Sequence, residues 1–276
     1  MNFSMNSDMC SGTFVEKIKS FYEAGFKGCE LRVSSKDVDD CTKKFIDLKQ
    51  AKELKKILND LNLKVVSVFK LHGWFELDGK LMGVNDNWLE IYDECKKRME
   101  IGKELNSDYI ITCPSYSHRN HYATIEEGRE RYLKLIELGK QIGISPTLEF
   151  MGQTKQINTL QKCLEFLNGL DEDLKIVADS YHFWRGGGNL KDIEQLNVKK
   201  ISIVHIADAD PNIKREIHKD TDRPMPTDGF LDLKKFLSYL VNYNNFYSVG
   251  SYKYFDQPSN YVAKIAFDKI KGLFNV

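Results

Sequence analysis

The chain has 276 residues, 42% of them hydrophobic and 29% charged, which gives enough apolar material for a sizeable core and excludes a disordered or fibrous protein. Lysine plus arginine equals aspartate plus glutamate at 40 each, so no global electrostatic pull toward nucleic acid or an anionic membrane is expected. The six cysteines are scattered without a CxxC pair, and neither a basic-then-apolar leader nor a run approaching ~18 apolar residues is present, so a reduced, cytoplasmic protein is expected.

Short apolar runs alternate with longer amphipathic segments. The first run, residues 2–7, precedes Thr13, which can cap FVEKIKSFYEA, a helical pattern closed by Gly25. The second, 28–33, precedes LKQAKELKKILNDLN, with leucines and isoleucine at i, i+3 and i+4 spacing. The third, 64–69, and the fourth, 109–113, precede WLEIYDECKKRMEIGKELN and TIEEGRERYLKLIELGKQIG. The fifth, 146–150, precedes TLQKCLEFLNGL, and the sixth, 175–179, runs into the glycine-rich WRGGG. The seventh, 201–206, and the eighth, 246–252, precede DLKKFLSYLVNY and PSNYVAKIAFDKIKGLF. Runs such as KVVSVF and ISIVHI are too short for helices and too continuously apolar for half-exposed edge strands. Eight strands, most followed by a helix, predict an α/β fold closed into one (β/α)₈ TIM barrel. An open doubly wound sheet would usually carry GxGxxG after its first strand, and none is there. No low-complexity linker or charge run divides the chain, so a single domain over residues 1–276 is expected.

A barrel of this kind builds its site at the C-terminal ends of its strands. Strand five ends at Glu149, strand six at Asp179 with His182 three residues on, and strand seven carries His205 and is followed by Asp208 and Asp210. Acidic or imidazole groups inside apolar strands are costly unless paired or metal-bound. Taken singly, Glu149 reads as a salt-bridged strand end and His205 as a satisfied core histidine. On three successive strands, Glu149, Asp179 and His205 can converge on one divalent ion. Two carboxylates and an imidazole suit manganese, magnesium, cobalt, iron or zinc with little selectivity. His182 reads as either a ligand-binding group or a loop anchor, and Asp208 and Asp210 as solvated carboxylates.

These motifs resemble the xylose isomerase-like superfamily of TIM barrels, in particular the sugar phosphate isomerase/epimerase group that includes inosose dehydratases and keto-inositol isomerases. The resemblance covers nearly the whole chain: GFKGCELR, HGWFELDGKLMG, CPSYSHRNH, PTLEF, VADSYHFWRGGG, IVHIADAD and DRPMPTDGFLDL. It implies metal ligands at Glu149, Asp179 and His205, a substrate-binding and catalytic role for His182, and Arg223 beside the substrate. Lys214 and Arg215 follow as weaker candidates. Glu30 matches a pocket-facing position, with an ion pair to Arg32 as the plain alternative. His72, Trp74 and Phe75 would wall a sugar ring, with His118 and His121 either at the rim or solvated. The departure is at strand eight: the family's fourth ligand is a glutamate, and here the position is Gly250, with Asp256 six residues further on.

The activity implied is proton abstraction by Glu149 next to a carbonyl of a small sugar or inositol derivative, assisted by a divalent metal and ending in isomerisation or dehydration. A two-base epimerisation is disfavoured, because Gly250 cannot return a proton. The alternative is a degenerate barrel that binds a sugar-like ligand or metal without turnover. A phosphodiesterase of AP endonuclease type would need a three-metal site with more histidines and a basic face, against six histidines and zero net charge. The expected partner is a small polyol or sugar, with no nucleic acid and no membrane; a homo-oligomer is left open.

Overall fold

The computed structural model describes residues 1–35, 45–114, 123–194 and 196–274. In chain order the elements are β1 (Asn2–Asn6), α1 (Phe14–Ala24), β2 (Gly28–Arg32), α2 (Leu48–Asp60), β3 (Lys64–Leu71), α3 (Trp88–Glu104), β4 (Tyr109–Thr112) and α4 (Ile125–Ile142). They continue with β5 (Ser145–Glu149), α5 (Leu160–Leu167), β6 (Lys175–Asp179), α6 (Ser180–Arg185), α7 (Lys191–Glu194), β7 (Ile201–Ile206), α8 (Leu233–Ser238), β8 (Phe246–Val249) and α9 (Ser259–Leu273). The strands form a closed barrel in sequence order, with β8 returning to β1 in parallel. Among the described residues no helix is long and apolar enough to cross a membrane.

The helices start where the sequence supplies acceptors for their first amides. Thr13 and Glu16 form a reciprocal capping box on α1, as do Asp47 and Gln50 on α2 and Thr124 and Glu127 on α4. Gly25 ends α1 at φ +107°, and a Cβ there would lie 2.7 Å from the Phe267 ring of α9, so only glycine fits both demands.

Strand alternation separates two layers. Met5, Leu31, Val68, Ile110, Leu148, Ala178, Val204 and Val249, one from each strand, join the core beneath the helices. Each contributes roughly 1.5–3 kcal/mol if fully buried, less for the alanine. A second, small apolar cluster of Phe69, Ile111, Cys113, Met151 and Val177 fills part of the lumen. Buried polar residues share the lumen with it: Thr147 and Ser202 meet oxygen to oxygen at 2.6 Å, and Ser202 donates to the Ile176 carbonyl at 2.9 Å.

Two strand ends differ from expectation by more than one residue. β3 continues to Leu71, and its register with β4 jumps between Phe69 and Leu71. β8 stops at Val249 rather than reaching residue 252. The Gly250 amide still donates to the Ile206 carbonyl at 3.2 Å, but Ser251 turns away to donate to the Pro224 carbonyl at 2.6 Å, and Tyr252–Tyr254 form a 3₁₀ turn.

Candidate active site

Glu149 and Asp179 are the last residues of β5 and β6, and His205 pairs with Asp179 across the β6–β7 ladder. His205 Nδ1 lies 2.8 Å from Glu149 Oε1 and 3.6 Å from Asp179 Oδ2, while its Nε2 lies 3.1 Å from Glu30 Oε2. β2 and β7 are not neighbours, so Glu30 meets His205 only across the lumen. The Glu30 carboxylate also accepts from the Ser67 hydroxyl at 2.6 Å and from the Ser248 hydroxyl. It is fully buried beneath the mouth and makes no ion pair with Arg32, which donates from Nε to Asp8 at 2.6 Å.

The two imidazoles of the site have opposite surroundings. Burial pushes the His205 pKa down, but Glu30 and Glu149 outweigh it and hold the group well above its usual value, so at neutral pH His205 is an imidazolium bracketed by carboxylates. His182, at the start of α6, has both ring nitrogens facing donors: Gly152 N–H at 3.3 Å and Arg223 Nη2 at 2.9 Å. Burial, reinforced by Arg223 against the pull of Asp179, takes its pKa down to about 4 and keeps it neutral. Burial pushes the Glu149 carboxyl up, but His205 holds it at about 2. Burial pushes the Asp179 carboxyl up, but Arg223 and His205 hold it well below the usual carboxylate range, with His182 adding to this only where it is protonated.

Asp179 does two structural jobs besides. Its Oδ1 caps α6 by accepting from the His182 amide at 2.9 Å, and its Oδ2 accepts from Arg223 Nη1 at 3.3 Å. Arg223 is buried, with its guanidinium carbon 3.9 Å from the Tyr181 ring centre and 5.3 Å from that of Tyr252, and its Nη2 donates to Asp220. Gly152 lets α6 come this close, since a Cβ there would meet Arg185 Cβ and the Gly186 nitrogen at 2.6 Å.

Several other expectations are corrected. Trp74 packs at ring-centre distances of 4.9 Å from Tyr132 and 5.9 Å from Phe166, in the aromatic layer under α4 and α5 with Phe75, and is not a wall over a ligand. His72 is buried beyond the end of β3, where burial and then the Lys70 charge hold its pKa well down. Asp208 is not solvated: it is buried, and its carboxylate accepts from the amides of Ala209, Thr227, Gly229 and Leu231 at 2.8–3.1 Å. Asp210 accepts from Asn212 and pairs with Lys253 at 3.5 Å. Lys214, Arg215 and Asp256 are exposed. His118 and His121 lie outside the described residues. Sequence reasoning passed over Lys70, Cys113 and Asp220; a lysine inside the apolar KVVSVFKL run was the available signal for the first.

The donor set fits a divalent ion. One ligand atom each from Glu149, Asp179 and His182 lies within 4.8 Å of the others, and His205 Nδ1 borders the same two carboxylates. Glu30 stands on the far nitrogen of His205, the place of a partner that would orient the ring if it ligated a metal. A Cβ built on Gly250 meets nothing within 4 Å, so the strand-eight position offers room and no donor.

The chain belongs to the family described as "Xylose isomerase-like TIM barrel", which matches residues 18–269. Among curated relatives it is 29% identical over 170 residues to an inosose isomerase of Bacillus velezensis, covering 59% of this chain and 60% of that protein. It is 31% identical over 157 residues to an inosose isomerase of Bacillus subtilis, covering 55% of each. The matches thus span somewhat over half the length of these relatives. A solved structure titled IOLI protein with a binding zinc atom superposes with a TM-score of 0.78 at 23% identity, covering 99% of this chain and 96% of that one.

Proposed function

We propose that the protein is a metal-dependent isomerase or dehydratase of a small keto-polyol of sugar or inositol type, with Glu149 as the base. The observation that carries this reading is the convergence of Glu149 and Asp179 on His205 Nδ1, at 2.8 and 3.6 Å, at the C-terminal mouth of the barrel. Glu149, Asp179 and His205 would hold the metal, with His182 beside them. A divalent ion held there would supply Lewis-acid polarisation of a substrate carbonyl. Glu149 is ionised at neutral pH and therefore able to accept the proton from the carbon next to the carbonyl. Neutral His182 and the Arg223 guanidinium orient substrate hydroxyls, and the Tyr181 and Tyr252 rings keep Arg223 from swinging. Gly250 supplies no second base, which favours one-base isomerisation or syn elimination over two-base epimerisation.

The relatives named inosose isomerase support the inositol side of the reading. The test is solvent-deuterium exchange followed by NMR on a panel of inososes, ketohexoses and 3-dehydroshikimate, with manganese, cobalt or zinc added. Exchange or turnover that disappears in Glu149→Gln is expected. Gly250 favours one competing reading, a barrel that binds without turnover; metal uptake with no exchange on any member of the panel would establish it instead.

A further inference from the structure

The segment between β7 and α8 carries Arg223, and its first half is tied down through the buried side chain of His218. The Asp210 amide donates to His218 Nε2 at 3.0 Å, so the proton of the neutral ring sits on Nδ1. Burial lowers the His218 pKa, which keeps the ring neutral at pH 7. Nδ1 lies 3.1 Å from the Tyr181 hydroxyl and 3.2 Å from the Lys219 carbonyl. The Tyr181 oxygen can accept from Nδ1–H because its own hydrogen is directed at the His218 carbonyl, 3.3 Å away. Arg185 of α6 adds a second grip, donating from Nε to the same carbonyl at 3.3 Å and from Nη2 to the Glu216 carbonyl at 2.8 Å. On the other side of this latch the Arg223 guanidinium lies 3.9 Å from the Tyr181 ring centre, with its nitrogens on Asp179 and His182. Filling space between the Tyr181 and Trp184 rings, at 5.2 and 5.3 Å, would need no ring nitrogen, whereas here both are committed in one tautomer.

We propose that His218 is a positioning residue of the site: its Nδ1–H fixes the Tyr181 hydroxyl, and so holds the Tyr181 ring as the platform that keeps Arg223 aimed at the substrate. This rests on the reading of Arg223 as a group that orients substrate hydroxyls. His218 acts through Tyr181 and transfers no proton. A phenol ring pinned at its hydroxyl cannot swing about its side-chain torsions, and the cation stacked on its face is held with it. The second half of the segment is anchored separately, by Asp208 on the amides of Thr227, Gly229 and Leu231. Loss of the His218 latch therefore loosens Arg223 without releasing the whole loop.

Amides of two lengths separate the two nitrogens. An asparagine amide reaches the place of Nδ1 and can donate to Tyr181, whereas a glutamine amide reaches the place of Nε2 and can accept from the Asp210 amide. The test compares wild type, His218→Asn, His218→Gln and His218→Leu at equal metal content. The Arg223 Nε–H signal in ¹H–¹⁵N spectra, assigned with Arg223→Lys, reports the guanidinium directly. In His218→Gln and His218→Leu it should shift away from its position over the Tyr181 ring and exchange with solvent at least ~10-fold faster, and in His218→Asn stay within ~3-fold of wild type. On a turned-over ketose, KM should rise by ~10-fold in His218→Gln and His218→Leu with kcat within ~3-fold, and His218→Asn should restore it. An Arg223 signal unmoved in His218→Gln and His218→Leu, or asparagine and glutamine variants that behave alike, overturns the proposal. If His218→Leu does not fold, the asparagine and glutamine pair decides. If wild type turns over no ketose, or Arg223→Lys leaves KM unchanged, the substrate reading fails separately, and the Arg223 signal still decides His218.

Discussion

Restoring a carboxylate at strand eight tests whether position 250 belongs to the site. Ser248 already points into the lumen against Glu30, and strand alternation puts residue 250 on the same face one step nearer the mouth. Gly250→Glu meets no steric barrier, because nothing lies within 4 Å of a Cβ there. The cost without metal is electrostatic: a like-charge pair at ~5 Å and an effective dielectric of ~20 costs about 3 kcal/mol. Protonation of the new carboxyl limits that loss to about 4 kcal/mol at pH 7, and the His205 imidazolium offsets part of it. The apo variant should therefore melt about 5–12 °C below wild type, at 2–4 °C per kcal/mol for a chain of this size. With saturating divalent metal the deficit closes to near zero, since a hundredfold tighter site adds about 2.7 kcal/mol to the folded state and so offsets most of the loss, and the metal-induced shift is larger in the variant than in wild type. The assay is the melting temperature of both proteins with EDTA and with millimolar manganese, cobalt or zinc. Equal metal-induced shifts would refute the reasoning and place residue 250 outside the ligand shell.

Three further outcomes follow from the geometry. Asp208→Ala should lower stability by about 2–4 kcal/mol, because it strips the buried acceptor from amides of the loop that carries Arg223; a melting temperature within ~2 °C of wild type would contradict this. The apo protein should lose stability as pH falls from the usual glutamate range toward about 2, where folded Glu149 takes up its proton, and Glu149→Gln should flatten that slope in a pH series of melting curves; the His205 contribution runs the other way, complete below the ordinary histidine pKa and lost only as pH rises through its raised value. Trp74→Ala should cost about 3–5 kcal/mol while leaving ligand affinity unchanged, and weakened myo-inositol binding in a protein of unaltered stability would return Trp74 to the pocket wall.

What the sequence made legible and what it concealed divide along a physical line. The barrel was readable because each strand is a short apolar run and most of the helices carry their own capping residue, both local properties. Glu149, Asp179 and His205 were readable because polar groups at successive strand ends share one mouth in any barrel. Contacts that depend on the fold's closure were not. Arg32 stands two residues from Glu30 and looks like its partner, yet the partner of Glu30 is His205, 175 positions away. Asp208 reads as a loop carboxylate, and only the return of residues 227–231 turns it into an anchor. Trp74 and Phe75 lie in a loop whose direction is set by where Tyr132 and Phe166 leave room.

The same cross-barrel contact bears on how the proposed site would hold together with a glycine at position 250. In a four-ligand site the strand-eight carboxylate would both bind metal and help fix its neighbours. Here the orientation of His205 does not depend on that strand's end, because Glu30 holds Nε2 from the opposite side, braced by Ser67 and by Ser248, a β8 residue two positions before the gap. Asp179 is held independently by the α6 amide and Arg223. If residue 250 holds the fourth ligand position, a glycine there would lack one donor without releasing Glu149, Asp179 or His205. Metal affinity and proton return are the properties that should suffer, while the folded geometry of the mouth should not.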